Sequence, residues 1–521
     1  MESLKLSSDG KKLMDVLNKN LSQVIIPDGV IEIACNSLKA CTSLKSIHIP
    51  PSVKIIGEGA FRDCASLETI YLPPSVEHIG RHAFCGCTSL QMVNLPNSLM
   101  TICGFAFKGC ISIKSISIPN SVTEIEWGAF EGCKSLKNVD MPNSVTEIGS
   151  CTFMGCTSLE HINIPESVTK IGIMNGKRVS VSWGRTFFHC VSLKSIVIPN
   201  SVTEIGRRIF EDCTALEDID LPHSVKTIPE DAFSGCESLK SVDIPTSVTE
   251  IGSNAFKGCV SLESVDIPNS VINIEDSAFN DCLSLKSINI PNSVTKIGRF
   301  AFHHSAIRTI NIPMHVLEIG EHAFCNCPIH SITVDKDNPV FFSKDNVLFK
   351  NKEGGKIILV KYAPKNKDRV FFIDKNTVML DSCAFKEAEE LEEIVLHDGI
   401  FSLGDEQTFA CCTSLKQIKI PSCIKKIPQY AFVNCYSMLD VVLPYSENYS
   451  IGEAVFKYCN SLKSIHSPIE RIDNIAIDEK AFDGFDIDEC TLYIPSGTRW
   501  AYRHHPGFGK FKNIEIEKKG E

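Results

Sequence analysis

The chain has 521 residues, 43% of them hydrophobic and 22% charged, with a formal net charge of −11 at pH 7. That mild acidity opposes general affinity for a phosphate backbone and excludes nucleic acid as the expected partner. No stretch approaches the ~18 apolar residues of a membrane span, and Met1 to Asn20 lacks the apolar run of a signal peptide, so no membrane insertion is expected.

Residues 1–20 read as an N-terminal cap, in which Ser7-Ser8-Asp9-Gly10 makes a turn leading into Lys12 to Val16. From residue 21 to residue 334 one phrase recurs. Cysteine marks it every 23 residues, at Cys41, Cys64, Cys87, Cys110, Cys133 and Cys156, then at Cys190, Cys213, Cys236, Cys259 and Cys282. A fixed period of this size is the signature of a solenoid and overrides the prior of one domain per ~150 residues.

Cys236 to Gly258 shows the phrase in full. Leu239, Val242 and Ile244 have the spacing of a leucine-rich strand, and Pro245 ends it because proline cannot donate to a ladder. Ser247 supplies a turn residue, Val248 and Ile251 point inward, Gly252 allows a bend, and Ala255-Phe256 closes the far side. Each turn thus has apolar positions but no complete core, and stacking supplies one. The repeat cysteines, stacked in line, read as buried free thiols, since bridging would need opposed Cβ vectors.

Two interruptions follow. Sixteen residues separate Ile171 from Phe187, against five between Ile251 and Phe256, which predicts a loop insertion at 173–184 carrying Lys177, Arg178 and Trp183. An exposed tryptophan beside basic residues suits a contact point, and the alternative is that Trp183 folds back over its own turn. Residues 335–370 lose the phrase and read as a β-hairpin insert, with Val340-Phe341-Phe342 and Val347-Leu348-Phe349 on either side of a polar Ser343-Lys344-Asp345-Asn346 turn. Repeats resume over 371–489. Residues 490–521 form a C-terminal cap and tail, where Trp500, Tyr502, Phe508, Phe511 and Ile514 offer apolar cover for the sheet edge.

The expected fold is a right-handed leucine-rich-repeat solenoid, mostly β and turns, with one parallel strand per turn and a β-hairpin insert. The run from Ile118 to Cys133, with Glu126 in place of glycine, and that from Ile244 to Cys259 resemble the BspA-like leucine-rich repeat family, as do Ser343 to Phe349 and Leu492 to Gly497. The resemblance implies a scaffold often found in bacterial surface proteins and in some parasitic protists, several of which act in adhesion or in binding host proteins. Surface members usually carry a signal sequence or attachment domain, which this sequence does not display.

Candidate functional residues lie in exposed rows. Lys194, Glu217, Lys240, Glu263 and Lys286 alternate in sign from turn to turn, as a register-setting ladder does. The row between the last two strand aliphatics holds Asp140, Asn163, Asp220, Asp243, Asp266, Asn289 and Asn311, broken at Val197. This stripe has two readings: an acidic strip for a basic protein segment, flanked by His48 and Tyr71, or a polar surface that keeps the sheet from aggregating. Cys85-Gly86-Cys87, Cys325-Asn326-Cys327 and Cys411-Cys412 lack zinc-knuckle spacing and read as core cysteines. His78, His82 and His322 fall on turn positions, and no nucleophile arrangement recurs beside them. No enzyme activity, cofactor or metal is expected. The reading is a monomeric, non-catalytic protein-interaction scaffold that binds along the concave strand face, placed in the cytoplasm by its free thiols. The alternative is an exported cell-surface adhesin.

Overall fold

Backbone hydrogen bonding explains why the phrase folds as it does, and the turn from Cys236 to Gly258 serves for all. Strand Ser241–Asp243 pairs in parallel with Ser264–Asp266 on the next turn, Val242 facing Val265. A second strand, Glu250–Ile251, pairs with Asn273–Ile274, so each such turn holds two parallel strands, one more than the sequence suggests. The third side has no strand. There the N–H groups of Asn254, Phe256 and Gly258 donate to Asp276, Ala278 and Asn280 of the following turn at 2.8–2.9 Å. Those of Ala255, Lys257 and Cys259 close i to i+3 turns within the coil. Neighbouring donors thus alternate between the next turn and their own, leaving none of these six unpaired.

That alternation needs left-handed backbone at Asn254 (φ 54°) and Gly258 (φ 72°). Gly252 serves a different purpose from the bend expected: an added Cβ would lie 2.8 Å from the Ile228 carbonyl oxygen, so glycine permits close approach of successive turns.

The computed structural model describes residues 3–173, 184–363 and 366–517. Packing divides the chain into two units, Met1–Leu285 and Lys286–Glu521. In the first, Leu4–Leu6 and Lys12–Val16 form an antiparallel pair whose second strand continues in parallel into Glu32–Ile33, closing the end of the coil. The core is built of columns. From Phe61 to Phe279 the phenylalanine rings stack turn upon turn at centroid distances of 5.1 to 5.7 Å and nearly parallel. Serines of the Pro-x-Ser-Val corner tie turns together, Ser121 and Ser144 each donating to a carbonyl of the turn before at 2.6 Å.

In the second unit, Phe341–Lys344 and Val347–Asn351 form an antiparallel hairpin. Its tip is Asp345-Asn346, both left-handed at φ 52° and 59°, so Ser343 and Lys344 belong to the strand. Ile357–Tyr362 lies antiparallel to the hairpin and parallel to Thr377–Leu380, carrying the module back into the coil. Tyr362 joins the phenylalanine column, stacked on Phe385 at 5.3 Å. At the C-terminus a helix, Arg499–His504, and strand Asn513–Ile516 cover the last turn. Tyr502, Phe508, Phe511 and Ile514 are buried there, whereas Trp500 is 74% exposed. Two residues along a helix is more than half a turn, so burying Tyr502 turns Trp500 outward, where it stacks on His504 at 4.3 Å.

Candidate functional site

The strand face of the first unit is open because three-residue strands such as Ser115–Ser117, Asn138–Asp140 and Ser241–Asp243 bury only their middle side chain. Asp140 faces Asn163, Val197 faces Asp220, and Asp243 faces Asp266; all six side chains are exposed. Asp218 is exposed beside Asp220, so four carboxylates cover the three turns from Asp218 to Asp266. Asp243 and Asp266, on directly paired strands, lie one strand spacing apart, ~4.8 Å. The same face is apolar toward the N-terminus, where Ile25, Tyr71 and Met92 are 71%, 66% and 68% exposed. Of these, Tyr71 was legible as a flanking group; Ile25 and Met92 pass for strand aliphatics in the sequence. Asn94 stands in the same row but turns its amide to the Leu72 backbone, donating to and accepting from it at 2.9 Å.

In the second unit Asn289 and Asn311 are exposed, and Asn311 accepts a hydrogen bond from the Thr333 hydroxyl at 2.8 Å. Lys177, Arg178 and Trp183 lie outside the described residues. Within the charge ladder, Lys240 Nζ lies 3.7 Å from Glu217, an exposed pair that sets register more than it stabilises.

The repeat cysteines are buried, and they act as more than small apolar groups. Cys87, Cys236 and Cys259 each donate Sγ–H to the carbonyl of the phenylalanine one turn back, at 3.1–3.2 Å. Burial pushes the thiols of Cys87, Cys133 and Cys213 up to about 12, so they stay protonated at neutral pH.

Where the hairpin module enters, the second unit gathers a cluster that the sequence reading missed. His322, Cys325 and Cys383 bring one ligand atom each to within 4.8 Å of one another. Strand Ile357–Tyr362 is the reason, since it takes over the backbone pairing of the turn that holds Cys383: Asp381 donates to Leu359 and Tyr362 to Ala384. His322 and Cys383 occupy equivalent left-handed positions, each preceding an Ala-Phe pair, at φ 58° and 56°. His322 Nδ1 lies 3.2 Å from Cys383 Sγ, while its Nε2 lies 3.6 Å from Glu406 Oε1. The ring stacks on Phe300 at 4.8 Å. Lys361, itself buried, donates Nζ to the Cys383 and Lys386 carbonyls at 3.2 and 3.5 Å.

The electrostatics of the cluster depart from those of the other thiols. A hydrogen bond from Cys383 holds the Cys325 thiol well below the ordinary thiol range against the cost of burial, helped by His303, His322 and the Lys361 charge. Cys383, as donor in that bond, is pushed up. Burial disfavours the charged His322 ring, yet its bond to Cys325 and the charges of Cys325, Glu406 and Glu321 together raise it. In sequence Cys325 passes for the first half of Cys325-Asn326-Cys327, and Cys383 lies across the insert, so no spacing rule joins them. Position gave no signal either, since Cys383 stands in the left-handed position that other turns give to Cys151, Asn254, Ser277 or Asp231.

Parallel strands stacked around columns of leucine, valine, isoleucine and phenylalanine, with one strand face left open, define a leucine-rich repeat protein. The chain belongs to the BspA type leucine rich repeat family, whose repeat-region model matches residues 17–110, 77–175, 184–283, 226–353 and 366–493. Solved structures with a similar chain include a leucine-rich repeat protein from Bacteroides ovatus, 26% identical, with a TM-score of 0.47 over 79% of this chain and 91% of that one. A leucine rich cell surface protein from Faecalibacterium prausnitzii is 20% identical, TM-score 0.38, over 99% and 93%. The pneumococcal vaccine antigen PcpA is 18% identical, TM-score 0.45, over 78% and 94%. No curated protein matches the chain. Among the described residues no helix is long and apolar enough to cross a membrane.

Proposed function

We propose that the protein is a non-catalytic, monomeric scaffold that binds a protein partner along its strand face. The observation that carries this reading is the open face of the first unit, where Asp218, Asp220, Asp243 and Asp266 expose carboxylates on three successive turns. Like charges held in register cost stability and attract a basic segment of matching repeat, which favours complementarity over mere surface polarity. The exposed Ile25, Tyr71 and Met92 give the same face an apolar anchor region toward its N-terminal end. Lys177, Arg178 and Trp183 form the second candidate contact. The buried thiols, bonded to backbone carbonyls, suit a reducing compartment, which supports the reading of a cytoplasmic scaffold. An exported adhesin would present the same face to host proteins, and antibody labelling of intact against permeabilised cells separates the two.

The test is capture of partners from lysate by the full chain and by a variant with Asp220, Asp243 and Asp266 all changed to Asn. Loss of specific bands by the variant, with wild-type capture falling as salt rises, is the expected result. Equal capture by both at low and moderate salt refutes the acidic strip.

A further inference from the structure

We propose that His322, Cys325 and Cys383 form a structural zinc site that ties the turn before the hairpin module to the turn after it. Two thiols and one imidazole are the donor set that selects zinc among the abundant divalent ions. Tetrahedral bonds of the usual length place such donors roughly 3.5–3.8 Å apart. His322 Nδ1 and Cys383 Sγ are 3.2 Å apart, and all three donor atoms fall within 4.8 Å of one another, so small side-chain shifts close the site.

The surroundings are those of a metal centre. A ligating histidine characteristically offers its second ring nitrogen to a carboxylate; here His322 Nε2 faces Glu406 Oε1 at 3.6 Å. The ring plane is fixed by the stack on Phe300. Beside the donors is a cavity of about 20 Å³ bordered by Gly320, Lys361, Asp381 and Ser382, room for a single water-sized fourth ligand. Two thiolates neutralise the charge of a divalent ion. The site has a structural purpose, because strand Ile357–Tyr362 occupies the pairing positions of the Cys383 turn and leaves the turn bearing His322 and Cys325 to be joined by side chains. Metal binding there contributes directly to the stability of the junction.

The test uses the full chain, reduced, stripped with EDTA and titrated with Co2+ and then Zn2+. One cobalt per chain, with thiolate-to-cobalt charge-transfer absorption that Zn2+ displaces, is expected. Cys325→Ser and Cys383→Ser each abolish the signal, Glu406→Gln weakens binding by about 10–100-fold, and Cys236→Ser leaves it unchanged. A readout on wild-type protein guards against variants that fail to fold: Zn2+ slows alkylation of Cys325 and Cys383 by at least about tenfold, while exposed Cys423 reacts at the same rate with and without metal. Cobalt uptake that survives in the Cys325→Ser, Cys383→Ser double variant overturns the proposal. So does identical alkylation with and without zinc, or a Cys325–Cys383 disulfide whose reduced form takes up no metal.

Discussion

Phe256 is the position at which the column model is most exposed to test. Its ring is fully buried and lies between those of Phe233 and Phe279, 5.3 Å from each and within 8° of parallel. Changing it to alanine removes the ring from both stacks at once and leaves a cavity that the neighbouring backbone cannot fill, because Phe233 N and Phe256 N hold the turns in place through bonds of 2.8 Å to the turns that follow them. Core phenylalanine truncations cost about 3–5 kcal/mol, and two lost aromatic contacts place Phe256→Ala toward the upper end of that range. Lys240→Ala, on the exposed face with only the 3.7 Å contact to Glu217, should cost less than about 1 kcal/mol. A repeat array need not unfold in one step, so hydrogen exchange resolved by segment is the better assay, with urea melts alongside. Amides from roughly Ile228 to Phe279 should lose protection in Phe256→Ala while distant turns keep theirs. Comparable destabilisation by the two substitutions, or loss of protection that ignores position along the coil, would refute the assignment of inward and outward faces.

Other expectations follow from the same geometry. Thiol counting on denatured protein purified under air should find the repeat cysteines reduced, and mass spectrometry should find no Cys236 to Cys259 bridge. Because Cys87, Cys133 and Cys213 are raised to about 12 from an ordinary value of 9.0, the unfolded chain ionises first on going alkaline. Their contribution to stability is therefore complete below pH 9 and falls away between pH 9 and 12, which urea midpoints across that range will show. Gly252→Ala should destabilise, since its Cβ meets backbone at 2.8 Å, whereas Gly258→Asn should be nearly neutral, because Asn326 and Asp281 already hold the equivalent left-handed position; thermal melts distinguish the two.

What the sequence made legible follows from periodicity. Leu239, Val242, Ile244, Val248, Ile251, Ala255 and Phe256 are all buried as the phrase implies, because stacking identical turns leaves each column one environment. Strand Glu250–Ile251 escaped notice for a physical reason: two residues are too few to show alternation, and Val248 and Ile251 point inward at a spacing that no strand template matches. Gly252 was read as allowing a bend when the constraint is crowding, a property of the neighbouring turn and so invisible in its own. Trp500 was assigned to the cap by composition, although a helix cannot bury both it and Tyr502. The His322 cluster was hidden most completely, since the module that separates Cys325 from Cys383 in sequence is also what brings them together.

In a repeat coil, then, a residue that matches its column says little beyond stacking, and one that departs from it carries the information. Val197 among the aspartates and Tyr362 among the phenylalanines are such departures. Tyr362 shows the logic at its simplest. An inserted module must offer the next turn the contacts that a regular turn would have offered, and stacking on Phe385 at 5.3 Å does so. Its hydroxyl needs a polar partner that no phenylalanine requires, and Asp368 supplies one at 3.3 Å. Among the described residues no backbone hydrogen bond joins the turn before the module to strand Ile357–Tyr362. Side-chain chemistry is the remaining means of joining it, and His322, Cys325 and Cys383 are the side chains gathered there.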